Sequence, residues 1–179
     1  MHDALPVTAD QHARRVHHKL VRASIDALLE GEDDWVAAMA TVSCELHHAF
    51  EYFHWTGFYR HVRPNELVIG PYQGGHGCLR ISFSRGVCGA AARTKRTQLV
   101  PDVRAFPDHI ACSSTTLSEI VVPVLAGDES VLAVFDVDSD HLSAFTDADR
   151  EALESLCEAL GERFGAPEKR MEYEPGRSR

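Results

Sequence analysis

Apolar residues recur at helical spacing in three stretches of the chain, two near its beginning and one near its end. Over residues 34–53 the steps are three and four, which is typical of one helix face: Trp35, Met39, Val42, Leu46, Ala49, Phe50 and Phe53. The same spacing predicts a helix over 10–30, with an apolar face at Val16, Leu20, Ala23, Ala27 and Leu28. A last helix follows Thr146, where Asp147 and Asp149 suit a helix N-terminus.

Between these helices, short apolar and aromatic runs separated by Gly, Pro and Asn predict strands. The predicted strands are 54–61, 67–71, 78–83, 97–100, 120–125 and 131–138, with a short helix at 90–95 and a long irregular loop at 101–118. Hairpin-linked strands with helices before and after them indicate an α+β fold. We expect an antiparallel sheet with helices packed on one face and loops covering a pocket on the other.

Length and charge limit the domain count and the classes of partner. A chain of 179 residues fits one domain, which we place at 31–165, after an N-terminal helix or extension at 1–30 and before a disordered tail at 166–179. The net charge of −9 disfavours nucleic acid and anionic membranes as partners. No apolar run approaches the roughly 20 residues of a membrane span, and the N-terminus lacks a signal-peptide pattern, so we expect a cytoplasmic protein.

Five cysteines and eleven histidines raise the question of disulfides or a metal site. Stable disulfides are rare in the cytosol, and the cysteine number is odd. The sequence has no CxxC pair and no HExxH motif, so no metal site is predicted. Most of the histidines are better explained as residues on solvated helix faces.

Three of the cysteines lie among loop-forming residues between Gly77 and Glu119. Cys88 stands at a predicted helix start, where the helix dipole favours a thiolate, and Cys112 lies in the long loop. Cys78 opens a strand after a Gly-rich turn. All three could instead be small buried hydrophobic residues, but their clustering favours reactive thiols. Spacing alone does not bring them together in space.

The carboxylates of Asp136 and Asp138 are two residues apart on a predicted strand, so both project from the same sheet face. Two buried like charges require a cation, which could be a metal ion or a ligand ammonium group. Glu119, at the start of the neighbouring strand, could reach the same place, whereas Asp138 could simply end its strand. Trp55 and Tyr59 also share a strand face, where they could line a pocket or pack in the core.

Five segments of the chain resemble the free methionine-(R)-sulfoxide reductases, which are small single-domain proteins with a GAF fold. The segments are WTGFYR, GPYQGGHGCLRI, RGVCG, DVRAFPDHIACSSTTLSEIVVPV and FDVDSDHLSAFTDAD, and the resemblance covers about residues 35–164. Its most specific element is the cysteine spacing, ten residues from Cys78 to Cys88 and twenty-four from Cys88 to Cys112. The chain departs from the family pattern at Ser113, where Asp is usual, and at His54, where Asn is expected.

The resemblance implies a role for each thiol. Cys112 would be the nucleophile that attacks the substrate sulfur. Cys78 would be the resolving thiol, and Cys88 a second thiol that resolves or hands electrons on. Thioredoxin would then open the resulting disulfide, and no metal or organic cofactor would be needed.

The resemblance also implies a substrate site. Glu119, Asp136 and Asp138 would hold the ammonium group of free methionine (R)-sulfoxide, and Trp55 and Tyr59 would lie beside its methyl sulfoxide end. The alternative is a GAF module that binds a small molecule or senses redox state without turnover. The apolar stripe over 34–53 could form a homodimer, or the sheet could cover it.

Overall fold

Six antiparallel strands form one sheet in a computed structural model, which describes residues 3–108 and 114–166. The strands are β1 (Trp55–Arg63), β2 (Glu66–Gln73), β3 (Arg80–Ser82), β4 (Gln98–Val100), β5 (Ser118–Leu125) and β6 (Val131–Ser139). The helices are α1 (Gln11–Leu28), α2 (Trp35–Ala49), α3 (Gly86–Thr94) and α4 (Asp147–Phe164), with a 3-10 turn at Val103–Ala105. The strand order is β3-β2-β1-β6-β5-β4, so the first and last long strands meet at the centre of the sheet.

The main hydrophobic core lies between one sheet face and the long helices. Phe58 of β1 and Phe135 of β6 contact each other there at a ring distance of 4.8 Å. Helix α2 packs on β1 and β2, α4 packs on β5, and α1 packs against α2 and α4. This arrangement confirms the predicted α+β fold, with the refinement that short α3 joins the loops on the opposite face. Among the described residues, no helix combines the length and apolarity that crossing a bilayer requires.

The apolar stripe of α2 is covered within the chain. Met39 and Val42 are fully buried in the main core, and Leu46 and Ala49 lie in the same cluster. Of the two alternatives for this stripe, the structure therefore shows coverage by the protein's own core. The helix ends at Ala49 instead of Phe53, because the chain turns there and stacks the Phe50 and Phe53 rings at 4.5 Å.

The sequence pattern predicted the wrong buried face for α1. Val16, Leu20 and Leu28 are 45%, 47% and 57% exposed. The buried face is instead largely polar and consists of Arg14, His17, His18, Val21 and Ile25. Apolar periodicity predicts the buried face of a helix only when its polar residues have no partner inside the protein. Here Arg14 and His18 have a buried partner in α4.

That partner is Asp149, which is fully buried near the start of α4. Arg14 Nη1 donates to Asp149 Oδ2 at 2.6 Å, and His18 Nε2 and Tyr52 Oη donate to Oδ1 at 3.0 and 2.7 Å. Burial raises the pKa of Asp149, but hydrogen bonds from His18, Tyr52 and the Thr146 backbone, with the Arg14 charge, lower it to about 2. The ionised carboxylate therefore fastens α1 to α4.

The predicted tail at 166–179 lies outside the described residues apart from Ala166.

Candidate functional site

The register of the central strands brings the predicted carboxylates and aromatic residues to one sheet face. Asp138 of β6 pairs with Trp55 of β1 on one side and with Glu119 of β5 on the other. Asp136 lies two residues earlier on β6, opposite Val121 of β5. Residues directly across neighbouring strands project to the same face, as do residues two apart. Glu119, Asp136 and Asp138 therefore form a row of carboxylates, the carboxylate row, on one sheet face. This face is turned toward α3 and the loops, away from the main core.

Helix α3 adds a thiol to this row. Cys88, the third residue of α3, places Sγ 4.0 Å from Glu119 Oε1, to which the thiol donates. One ligand atom each from Cys88, Glu119 and Asp136 lie within 4.8 Å of one another. The three residues are 3%, 6% and 5% exposed. We call Cys88, Glu119 and Asp136 the acidic cluster.

The close approach of α3 depends on a residue without a side chain. A Cβ atom at Gly89 would lie 2.4 Å from the Ser82 carbonyl oxygen of β3, a distance that no real Cβ contact reaches. Glycine at this position lets the helix backbone pack directly on the strand edge. The RGVCG segment thus positions Cys88 against strands β5 and β6.

The carboxylates of this face have no charged partner among the described residues. None of the ion pairs there involves Glu119, Asp136 or Asp138. Burial raises the pKa of Glu119 well above its usual range, and the charges of the neighbouring Asp136 and Asp138 add to the shift. Burial raises the pKa of Asp136 to about 7, although hydrogen bonds from Cys88 and Glu119 oppose the shift. Burial and the charge of Asp136 also raise the pKa of Asp138. A cation bound here would relieve this unfavourable burial.

The prediction that Cys88 favours a thiolate does not hold. The residue lies at the N-terminus of α3, as the sequence indicates, but burial and the charges of Asp136 and Glu119 raise its pKa well above the usual value. Desolvation and two nearby carboxylates outweigh the helix dipole, whose effect amounts to about 1 kcal/mol. Cys88 is therefore a protonated thiol in the wall of the site.

Stacked aromatic rings form the adjacent wall. The Trp55 ring stacks on Tyr59 at 5.5 Å and on Tyr72 at 5.3 Å. A Cβ at Gly77 would lie 2.8 Å from Tyr59 Oη and 3.0 Å from Trp55, so the backbone of the Gly-rich turn packs closely against both side chains. Trp55 Nε1 donates to the Gly75 carbonyl at 3.1 Å and holds the turn in place. Trp55 and Tyr59 thus pack together and also border the carboxylate row.

Sequence reasoning missed Tyr72 as a member of this wall. Tyr72 lies on β2 opposite Gly57 of β1, where the glycine leaves room for the tyrosine to reach Trp55. The available signal was the pairing of a large aromatic residue with a glycine on two strands joined by a hairpin. Without the register of that hairpin, the pairing could not be assigned.

The predicted redox thiols are Cys78, Cys88 and Cys112. Cys78 is half-buried at the end of the Gly-rich turn and is disulfide-bonded. Cys44, Cys88 and Cys157 are free thiols. Cys112 lies outside the described residues.

Taken together, the described residues form a site with two chemically different parts. Buried carboxylates attract a small cationic group, and stacked aromatic rings offer an apolar surface beside it. The disulfide-bonded Cys78 directly follows Gly77, the glycine that packs against the Trp55 and Tyr59 side chains. Such a site suits a small molecule that carries an ammonium group at one end and an apolar group at the other.

Comparison with known proteins identifies relatives over most of the chain. A sequence profile of the GAF domain matches residues 21–162. The free methionine-R-sulfoxide reductase of Saccharomyces cerevisiae is 41% identical over 143 residues, covering 76% of this chain and 79% of the yeast protein. The free methionine-R-sulfoxide reductase of Escherichia coli is 38% identical over 135 residues, covering 75% of this chain and 81% of the bacterial protein.

A solved structure extends the similarity to the three-dimensional fold. The free methionine-R-sulfoxide reductase from Neisseria meningitidis, solved by X-ray analysis in complex with its substrate, superposes with a TM-score of 0.82. It is 42% identical in sequence, and the match covers 96% of this chain and 99% of the neisserial chain.

Proposed function

The chain belongs to the free methionine-R-sulfoxide reductases, oxidoreductases built on a GAF domain, and we propose on this basis that it reduces free L-methionine (R)-sulfoxide to L-methionine. The observation that carries the proposal is the acidic cluster, which is buried without a cationic partner among the described residues. We place the catalytic unit at 31–165, with residues 1–30 as an extension whose helix α1 is fastened to it.

The carboxylate row accounts for the choice of a free amino acid. Glu119, Asp136 and Asp138 share one sheet face, and an ammonium group bound between them would offset their mutual repulsion. A methionine sulfoxide within a polypeptide has an amide nitrogen in place of the ammonium group. It would leave the carboxylates buried and unpaired, which is the strongest form of discrimination against a wrong substrate.

The aromatic wall receives the other end of the substrate. Trp55 of β1 pairs with Asp138 of β6, and Tyr59 stacks on Trp55 further along the same face. A substrate whose ammonium group meets the carboxylates would therefore extend its side chain over the rings. Aromatic faces and edges form favourable contacts with methyl groups and sulfur. The sulfoxide would thus be oriented toward the thiols that follow the Gly-rich turn.

The chemistry begins with Cys112. Its thiolate attacks the sulfoxide sulfur, the sulfoxide oxygen takes up a proton, and the oxygen is transferred to the cysteine sulfur. Methionine leaves, and Cys112 becomes a sulfenic acid, so two electrons have passed from the thiol to the substrate. No metal or organic cofactor takes part in this sequence.

A second thiol then restores the enzyme. Cys78 attacks the sulfenic acid, water leaves, and an intramolecular disulfide forms. The disulfide-bonded state of Cys78 and the free, buried state of Cys88 support Cys78 as the resolving thiol. Thioredoxin would open this disulfide by exchange with its own dithiol. Cys88, whose raised pKa disfavours the thiolate, would act mainly as part of the substrate wall.

The proposal is tested by NADPH oxidation in the presence of thioredoxin and its reductase. We expect oxidation that depends on added free L-methionine (R)-sulfoxide and at least about a hundredfold lower kcat/KM for the S epimer, because only one epimer directs the sulfur lone pair and oxygen correctly. A reaction with glutathione and glutaredoxin in place of thioredoxin separates the choice of reductant from the reduction itself. Equal rates with both epimers would contradict the proposed stereochemistry.

A further inference from the structure

We propose that the acidic cluster is also a binding site for Zn²⁺, which would occupy the place of the substrate ammonium group and inhibit the enzyme reversibly. The inference rests on the proposed function only for its consequence, competition with substrate. The binding site itself depends only on the residues of the cluster.

The cluster contains the donor atoms that zinc prefers. Cys88 Sγ and one carboxylate oxygen each from Glu119 and Asp136 lie within 4.8 Å of one another. Zinc binds cysteine sulfur at about 2.3 Å and carboxylate oxygen at about 2.0–2.2 Å, so ligands around one ion lie roughly 3–4 Å apart. The Cys88 Sγ to Glu119 Oε1 distance is already 4.0 Å. Small side-chain rotations would therefore complete three ligands, and water would supply a fourth.

A second observation points to a cation at the same place. The Oδ1 oxygen of Asp136 is buried and has no hydrogen-bond partner among the described residues. Buried polar atoms are nearly always paired, so an unpaired carboxylate oxygen on a residue of this cluster indicates a site for a ligand. Asp138, half-buried on the same face, adds further negative charge nearby.

The mixture of sulfur and oxygen ligands selects the metal. Ca²⁺ requires six to eight oxygen ligands, and Mg²⁺ requires near-octahedral oxygen coordination, which a three-residue site with one thiol does not supply. Thiolate ligands favour Zn²⁺ and other soft ions. Binding would release the Cys88 proton to solvent and replace it with a divalent ion, which offsets more of the negative charge than a single ammonium group does.

Zinc binding is measured on the full chain carrying Cys78→Ser and Cys112→Ser, so that the redox thiols cannot bind the metal. We expect one equivalent of Zn²⁺ to bind, measured by competition with a chromogenic zinc indicator. Adding Cys88→Ser should weaken binding at least about tenfold, because the only sulfur ligand is lost. Co²⁺ should give thiolate-to-metal charge-transfer absorption that disappears with Cys88→Ser.

Two comparisons locate the site. Cys44→Ser in the same background should leave binding unchanged, although Cys44 Sγ lies 3.8 Å from His48 Nδ1 on the surface of α2. Asp136→Asn should weaken binding like Cys88→Ser while the thermal transition shows a folded protein. Free L-methionine, which carries the same ammonium group as the substrate, should raise the apparent Kd for Zn²⁺.

Zinc binding that survives both Cys88→Ser and Asp136→Asn, or that is lost with Cys44→Ser instead, would overturn the inference. So would binding that L-methionine does not affect. If the wild-type protein turns over the free sulfoxide but binds no zinc at the cluster, this inference fails while the proposed reaction stands. If zinc binds in competition with L-methionine but the sulfoxide is not reduced, the zinc site stands and the proposed reaction fails.

Discussion

Replacing Cys112 with serine is expected to lower kcat/KM for free L-methionine (R)-sulfoxide at least about a thousandfold, since the proposed reaction has no other nucleophile. A serine hydroxyl is almost fully protonated at neutral pH and cannot accept the sulfoxide oxygen to form a sulfenic acid. The assay uses dithiothreitol as reductant and follows methionine formation. Because dithiothreitol reduces the sulfenic acid directly, the measurement does not depend on the resolving thiol or on thioredoxin.

Two matched variants make this result specific to one thiol. Cys44→Ser makes the same chemical change on α2, outside the site, and should retain full activity. Cys78→Ser should form about one methionine per protein in a single turnover without added reductant, because attack precedes resolution. Full activity of Cys112→Ser with dithiothreitol would assign the attack to another residue.

The second large effect is expected at Asp136, which lies at the centre of the carboxylate row. Asp136→Asn should lower kcat/KM for the free sulfoxide roughly a hundredfold or more, because removing one partner of a buried charge pair costs about 3–5 kcal/mol. The loss should appear mainly in KM, since the ammonium group is bound in the ground state and the transition state alike. Steady-state kinetics with dithiothreitol measure both constants, and an unchanged kcat/KM would remove Asp136 from the substrate site.

The same substitution should stabilise the protein without ligand at alkaline pH. The pKa of Asp136 is about 7 in the folded chain, against about 3.9 for an unperturbed aspartate. The folded state therefore binds more protons between these values, and the stability present below pH about 4 is lost as pH rises through 7. Asparagine does not titrate, so Asp136→Asn should raise Tm at pH 8 by at least about 4 °C, and by much less at pH 5.

Thermal unfolding of both proteins across this pH range checks the expectation. Asp33→Asn, which makes the same change at an exposed position, should leave Tm within about 1 °C of the wild type at every pH. A lower Tm for Asp136→Asn at pH 8 would mean that the carboxylate already has a stabilising partner in the folded chain.

Periodicity predicted the part of the site that lies on neighbouring strands. Alternation places Asp136 and Asp138 on one sheet face, and the hairpin joining β5 to β6 brings Glu119 beside them. Each of these relations is local or follows from one turn, so the sequence contains enough information to state them.

The position of Cys88 could not be obtained in this way. Its distance to Glu119 depends on how closely α3 packs on the sheet, which Gly89 permits but does not dictate. Its protonation state depends on burial and on the carboxylates it meets there. A rule based on the helix dipole alone therefore predicted the wrong direction for the shift in the Cys88 pKa. The prediction of the buried face of α1 failed for a related reason. Arg14 and His18 are buried because they bind Asp149, which lies 135 and 131 residues further along the chain.

If the buried carboxylate row makes the free amino acid the substrate, a substrate without the ammonium charge should be reduced poorly. Formation of the reduced product is measured with dithiothreitol for free L-methionine (R)-sulfoxide and for its N-acetyl derivative, in which an uncharged acetamide replaces the ammonium group. We predict that acetylation lowers kcat/KM at least about a thousandfold, because Glu119, Asp136 and Asp138 would be left buried without a cation. Comparable kcat/KM values for the two compounds would mean that the carboxylates do not select the free amino acid.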